Sequence, residues 1–190
     1  MNHLKETNRE MLKRISFILQ SLDETQVEAL IGSLVNIRKN GRKILVVGVG
    51  RSGLVARAFA MRLIHLGYDA YVIGETITPK FVDGDLCLII SGSGRTSIPV
   101  AVSEMAKKLN VEIILITSDP DSPISELANR VLEIPGRVDV LREKEYYTSM
   151  LTGQHAPLRA MSTLFENTCS IFLDGVVSEL IYRLNIPSGL

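Results

Sequence analysis

The chain has 190 residues, and its 21 Lys and Arg are balanced by 21 Asp and Glu. A formal net charge of zero argues against a protein of nucleic acid or of anionic membrane surfaces, which carries a basic excess. Apolar residues make up 46% and aromatic ones only 5%, with no Trp, so the expected core is an α/β one of Val, Ile, Leu and Ala with apolar surface to spare for contacts between subunits.

Leu4, Met11, Ile15, Ile18 and Leu22 recur at helical spacing, and Asp23 stands where it can cap a second helix carrying Val27, Leu30, Ile31, Leu34 and Ile37 up to Gly41. This hairpin has no basic face. Lys43–Val47 reads as the first strand, followed by the turn Gly48-Val49-Gly50-Arg51-Ser52-Gly53 and a helix to about Leu66. Asp69–Ile73 is the second strand, Gly74–Gly84 a loop, and Leu86–Ile90 the third strand, which stops at Ser91-Gly92-Ser93-Gly94-Arg95-Thr96-Ser97. A helix over Val100–Leu109, a strand over Glu112–Thr117, a turn at Asp119–Pro123, a short helix to Ala128 capped by Ser122 or Asp121, and a strand over Val131–Ile134 complete the pattern. Strands alternating with helices predict a doubly wound parallel sheet with helices on both faces. Gly136 to Arg159 has no clear period, and Lys144 with Glu143 and Glu145 reads as a solvated charge run. Ser162–Leu184 closes the chain as a long helix, interrupted by Glu166, Asp174, Glu179 and Arg183 and so not a membrane span. Met1–Thr7 has no signal-peptide core, which makes the cytoplasm the expected location. Cys87 and Cys169 fall in an apolar strand and an apolar helix and read as buried hydrophobes.

Both glycine-rich turns join a strand to a helix. Gly92 and Gly94 let the backbone approach a ligand, the new helix points free N–H groups at it, and Ser91, Ser93 and Thr96 add neutral hydroxyls, an arrangement suited to a phosphomonoester. Gly48–Gly53 matches the dinucleotide fingerprint, with Glu75 about where a ribose-binding acid belongs, so NAD remains an alternative for that turn alone. A second phosphate-type loop has no use in a dinucleotide fold.

A Gly-x-Gly-Arg-Ser turn followed downstream by Ser-Gly-Ser-Gly-x-Thr resembles the sugar isomerase (SIS) domain family. With the N-terminal hairpin, Met61–Gly67 and Leu164-Phe165-Glu166, nearly the whole chain is similar to the 6-phospho-3-hexuloisomerases of that family. Ala160-Met161-Ser162 departs from the Pro-x-Gly that usually precedes the last helix there. The resemblance implies one SIS domain over 1–190: a helical hairpin at 1–40, a five-stranded flavodoxin-like α/β core at 43–134, an irregular loop at 135–161 and a C-terminal helix at 162–185. It implies that Gly50, Arg51, Ser52, Ser91, Gly92, Ser93, Gly94, Arg95 and Thr96 bind the phosphosugar. The reaction it implies moves a carbonyl between C3 and C2 of a hexulose 6-phosphate, giving fructose 6-phosphate through an enediol, in formaldehyde fixation by the ribulose monophosphate pathway or in the reverse direction. No redox cofactor is needed, and no His/Cys/Asp cluster has metal-ligand spacing.

Glu166 is the base that the resemblance selects, whereas its residue chemistry alone fits a first-turn carboxylate on a helix dipole. His65 is the second catalytic candidate, beside the alternative of a helix C-terminal cation; His155 reads first as a solvated loop histidine, with reach into a site from a neighbouring subunit as the alternative. Arg51 pairs with phosphate on one reading and is a surface cation on the other, and Arg95 is expected to be exposed. The expected assembly is a homotetramer made as a dimer of dimers, without nucleic-acid or membrane partners. Two other functions stay open at this point, a non-catalytic phosphosugar sensor and an aldose–ketose isomerase acting on a pentose phosphate.

Overall fold

The computed structural model describes residues 1–136 and 163–187. The hairpin forms as α1 (Asn2–Gln20) and α2 (Glu24–Lys39), and Asp23 caps α2 by accepting hydrogen bonds from the Thr25 and Gln26 N–H groups at 2.8 and 3.1 Å. The core then runs β1 (Lys43–Val47), α3 (Gly50–His65), β2 (Asp69–Val72), β3 (Leu86–Ile90), α4 (Ser97–Lys108), β4 (Glu112–Thr117), α5 (Pro123–Leu127) and β5 (Arg130–Glu133). The last described helix is α6 (Leu164–Arg183). All strand pairs are parallel, in the order β2-β1-β3-β4-β5. The alternation of a pleated strand divides the core: Ile44, Val46, Leu86, Leu88 and Ile90 face α1, α2, α3 and α6, while Leu45, Val47, Cys87 and Ile89 face α4 and α5. The sheet is therefore doubly wound with helices on both faces, as the alternation of apolar runs predicts.

The boundaries differ from expectation by a residue or two. α4 begins at Ser97, so Pro99 falls in its first turn, where its missing N–H costs nothing. Ser122 stands at the start of α5 but does not cap it with its side chain; its hydroxyl instead lies 2.9 Å from that of Ser125. Cys87 and Cys169 are fully buried free thiols, and burial pushes Cys87 up to about 12.

At the opposite edge of the sheet from the strand C-termini, Asp85 is completely buried. Its carboxylate accepts from the Lys43 and Val82 N–H groups at 3.0 and 2.9 Å, and the Lys43 ammonium lies 3.1 Å away. Burial alone would raise its pKa, but these partners outweigh that effect and hold it below the ordinary value of 3.8. The β2–β3 connection carries no helix; Phe81 instead packs edge-on against Tyr71, with ring centroids 6.1 Å apart. No described helix is long and apolar enough to cross a membrane.

Candidate active site

In a sheet of this order the sequence of strands across the sheet reverses between β1 and β3, and ligands bind in the crevice outside the strand C-termini at that switch point. Both glycine-rich turns lie there, Gly48–Gly53 after β1 and Ser91–Thr96 after β3. The helices they open, α3 and α4, lie on opposite faces of the sheet, so their N-termini converge on the crevice. Neither has a side-chain cap: α3 starts behind Val49, which has no polar atom to offer, and the Thr96 hydroxyl does not cap α4. The first N–H groups of both helices are thus left for a ligand or solvent, in contrast to the capped α2.

Close packing fixes each turn. A Cβ on Gly48 would lie 2.6 Å from the Ser52 carbonyl oxygen and 2.9 Å from the Gly53 nitrogen, so this glycine serves the contact between strand end and helix. Ser52 is buried in the first turn of α3. In the second turn, Ser91 and Ser93 are also buried. The Ser91 hydroxyl accepts from the Gly94 N–H at 3.1 Å, and the Ser93 hydroxyl accepts more weakly from the Arg95 N–H at 3.4 Å.

The loop after β4 holds the serine turn from one side, and sequence reading missed this. The Ser118 N–H and hydroxyl donate to the Gly92 carbonyl at 3.2 and 2.8 Å, and the Ile124 N–H donates to that of Gly94 at 3.4 Å. Arg95 reaches across the same gap: its Nε and Nη2 donate to Asp119 at 3.2 and 3.0 Å, and Nη2 also donates to the Asp121 carbonyl at 2.9 Å. Arg95 is accordingly half-buried and paired, not a free surface cation, whereas Arg51 is exposed.

Glu166 lies in the first turn of α6. A Cβ on Gly136, just past β5, would meet the Phe165 nitrogen at 2.9 Å, and this contact sets the start of α6 at the strand C-termini, the edge that carries both turns. Glu166 Oε2 is buried and has no hydrogen-bond partner among the described residues. One turn on, burial and then the Glu166 carboxylate push the Cys169 thiol well above its ordinary value.

His65 is not brought to this edge. It is the last residue of α3, exposed, and the helix carries it about 20 Å from Ser52 at 1.5 Å per residue. There it lines an apolar groove of about 370 Å³ with Arg57, Met61, Ile64, Tyr71 and Ile77. His155, Glu143, Lys144, Glu145 and Ala160-Met161-Ser162 lie outside the described residues.

The fold and its two hydroxyl turns define a SIS domain, and the family model described as SIS domain matches residues 37–166. The chain is 40% identical over 159 residues to the 3-hexulose-6-phosphate isomerase of Methanocaldococcus jannaschii, covering 84% of this chain and 78% of that one. It is 39% identical to the enzyme of the same name from Mycobacterium gastri, covering 84% and 73%. A crystal structure of a Methanococcus jannaschii hypothetical protein, for which a function of 3-hexulose-6-phosphate isomerase was inferred, superposes with a TM-score of 0.72 at 33% identity over 98% of this chain and 93% of that one. The chain belongs to the SIS-domain family and, within it, to the 3-hexulose-6-phosphate isomerases.

Proposed function

We propose that this protein interconverts D-arabino-hex-3-ulose 6-phosphate and fructose 6-phosphate by proton transfer through an enediol. The observation that carries the reading is the pair of uncapped helix starts with buried serines on either side of the switch point, in a chain whose named relatives are isomerases of this substrate. Ser52, Ser91, Ser93 and Thr96, with the first N–H groups of α3 and α4, hold the phosphate. Glu166 takes the proton from C2 of the hexulose and returns it at C3. An oxygen that no donor among the described residues claims is free to take a proton from a bound substrate.

The second group, His65, acts from a neighbouring subunit. Leu54, Ala58, Met61 and His65 follow one another at coiled-coil spacing along the exposed side of α3, flanked by exposed Ile64. Two α3 helices packed antiparallel about a two-fold axis between Ala58 and Met61 bring each His65 opposite the other chain's Leu54, less than a turn from Ser52. A separate exposed stripe, formed by Ile98 and Met105 on α4 and continued by Leu109 just past its end, offers the second interface of a homotetramer built as a dimer of dimers. The enzyme works in the cytoplasm, in the ribulose monophosphate pathway, fixing formaldehyde or supplying pentose phosphate in reverse.

The test is turnover of a panel of ketose and aldose phosphates by the purified protein. Conversion between fructose 6-phosphate and the 3-hexulose 6-phosphate is expected. Binding of phosphosugars without turnover of any would overturn the enzymatic reading, and preferential aldose–ketose conversion of a pentose phosphate would replace the substrate.

A further inference from the structure

The serine turn holds one full positive charge, that of Arg95, and the structure gives it a counter-charge. Asp119, at the end of β4, is four-fifths buried on its side chain and takes two of the three guanidinium nitrogens, while the Asp121 carbonyl takes a further bond from Nη2. The turn is also pinned to the β4–α5 segment by hydrogen bonds that do not involve Arg95, from the Thr117 hydroxyl, the Ser118 N–H, the Ser118 hydroxyl and the Ile124 N–H. A partly exposed ion pair adds little to a loop already held in this way. Its larger effect is electrostatic, because the pair cancels a cation next to the place where a dianion would sit.

We infer that Asp119 is a positioning residue that acts through Arg95 to keep the phosphate turn electrically neutral, and so sets how tightly phosphorylated ligands are held. This rests on the phosphate-binding reading above. Substrate and product carry the same phosphate, so extra attraction to it is uniform binding, which deepens both ground states and slows release without lowering the barrier between them. A turn built from hydroxyls and N–H dipoles with a masked arginine avoids that trap.

The experiment compares inorganic phosphate binding, by calorimetry and as competitive inhibition, in the wild-type protein and in the Asp119→Asn variant, at low and at physiological salt. Unmasking Arg95 is expected to tighten phosphate about three- to tenfold at low salt, with the gain shrinking as salt rises. KM for the sugar phosphate should fall with it, and kcat should stay level or fall. Adding Arg95→Gln to Asp119→Asn should return phosphate affinity to the wild-type value, and Asp119→Glu, which keeps the charge, should leave it unchanged. Unchanged or weakened phosphate binding in a folded Asp119→Asn protein overturns the inference while leaving the phosphate site intact. A wild-type protein that binds neither phosphate nor fructose 6-phosphate brings down the phosphate-site reading itself, and this inference with it.

Discussion

Gly94 and Ser122 are packed so closely that a Cβ on the glycine would overlap the serine Oγ, and Gly94 also has a left-handed φ of +57°. Gly94→Ala therefore meets two obstacles at once. We expect a stability loss of about 1–3 kcal/mol in denaturant melts and loss of most phosphosugar affinity by calorimetry. Ser122→Gly in the same chain removes the overlap but not the backbone strain, so it should recover part of the stability. No recovery at all would show that the contact with Ser122 is not what excludes a side chain.

Ser91→Ala and Ser93→Ala should each weaken fructose 6-phosphate binding by about 1.5–3 kcal/mol, the worth of a hydrogen bond to a charged group. The two should differ in stability. The Ser91 hydroxyl is buried and accepts the Gly94 N–H at 3.1 Å, so its loss also costs the turn about 1 kcal/mol; the 3.4 Å bond at Ser93 is worth less. Unchanged affinity in both variants would remove the phosphate from this turn.

Glu166→Gln keeps the side chain's size but removes the proposed base. A loss of roughly 10²–10⁴-fold in kcat is expected, with little change in substrate affinity. Exchange of the C2 hydrogen with heavy water should fall in parallel, since formation of the enediol is what is blocked. A folded variant with normal turnover would move the base elsewhere.

If His65 works in trans, two crippled chains can repair each other. Glu166→Gln and His65→Ala homo-oligomers should both be slow, and after mixing and subunit exchange some activity should return, because some sites then receive an intact pair. Strictly additive residual rates after proven exchange would place both groups in one chain or remove His65 from the chemistry. Light scattering provides the companion measurement, and a monomer at micromolar concentration would rule out a shared site.

Asp85 predicts the acid limb of stability. Its folded pKa lies below the ordinary 3.8, so its contribution is fully present above the unfolded value and is lost as pH falls from there through the folded value. Asp85→Asn should cost about 1–3 kcal/mol at pH 7 and progressively less below pH 4, as the wild-type protein loses the same contribution. A difference between the two proteins that is flat with pH would show that the charge plays no part.

Local punctuation made much of this legible in the chain itself. Apolar runs of strand length ending in Gly-Ser-rich turns placed both hydroxyl loops, because strand, turn and helix start are contiguous in sequence. The Arg95–Asp119 pair was not legible: its members are 24 residues apart and meet only because β3 and β4 are neighbours in the sheet. Ser122 looked like a cap because its position is right, yet its hydroxyl turns to Ser125 in the space beside Gly94. Glu166 and His65 read together as a catalytic pair, but the length of α3 carries His65 about 20 Å from the Ser52 end of that helix. A helix's length can be counted from sequence; what its far end packs against cannot.

The distance between the two hydroxyl turns is not free to drift. They leave the ends of β1 and β3, hydrogen-bonded neighbours in register from Ile44 with Leu86 to Val47 with Ile89, and such strands sit about 4.8 Å apart. Moving one turn relative to the other would have to break that ladder in the centre of the sheet. If phosphate sits as proposed, residues 48–53 and 91–96 form a fixed socket, and an engineer seeking another sugar phosphate would vary only what surrounds its mouth.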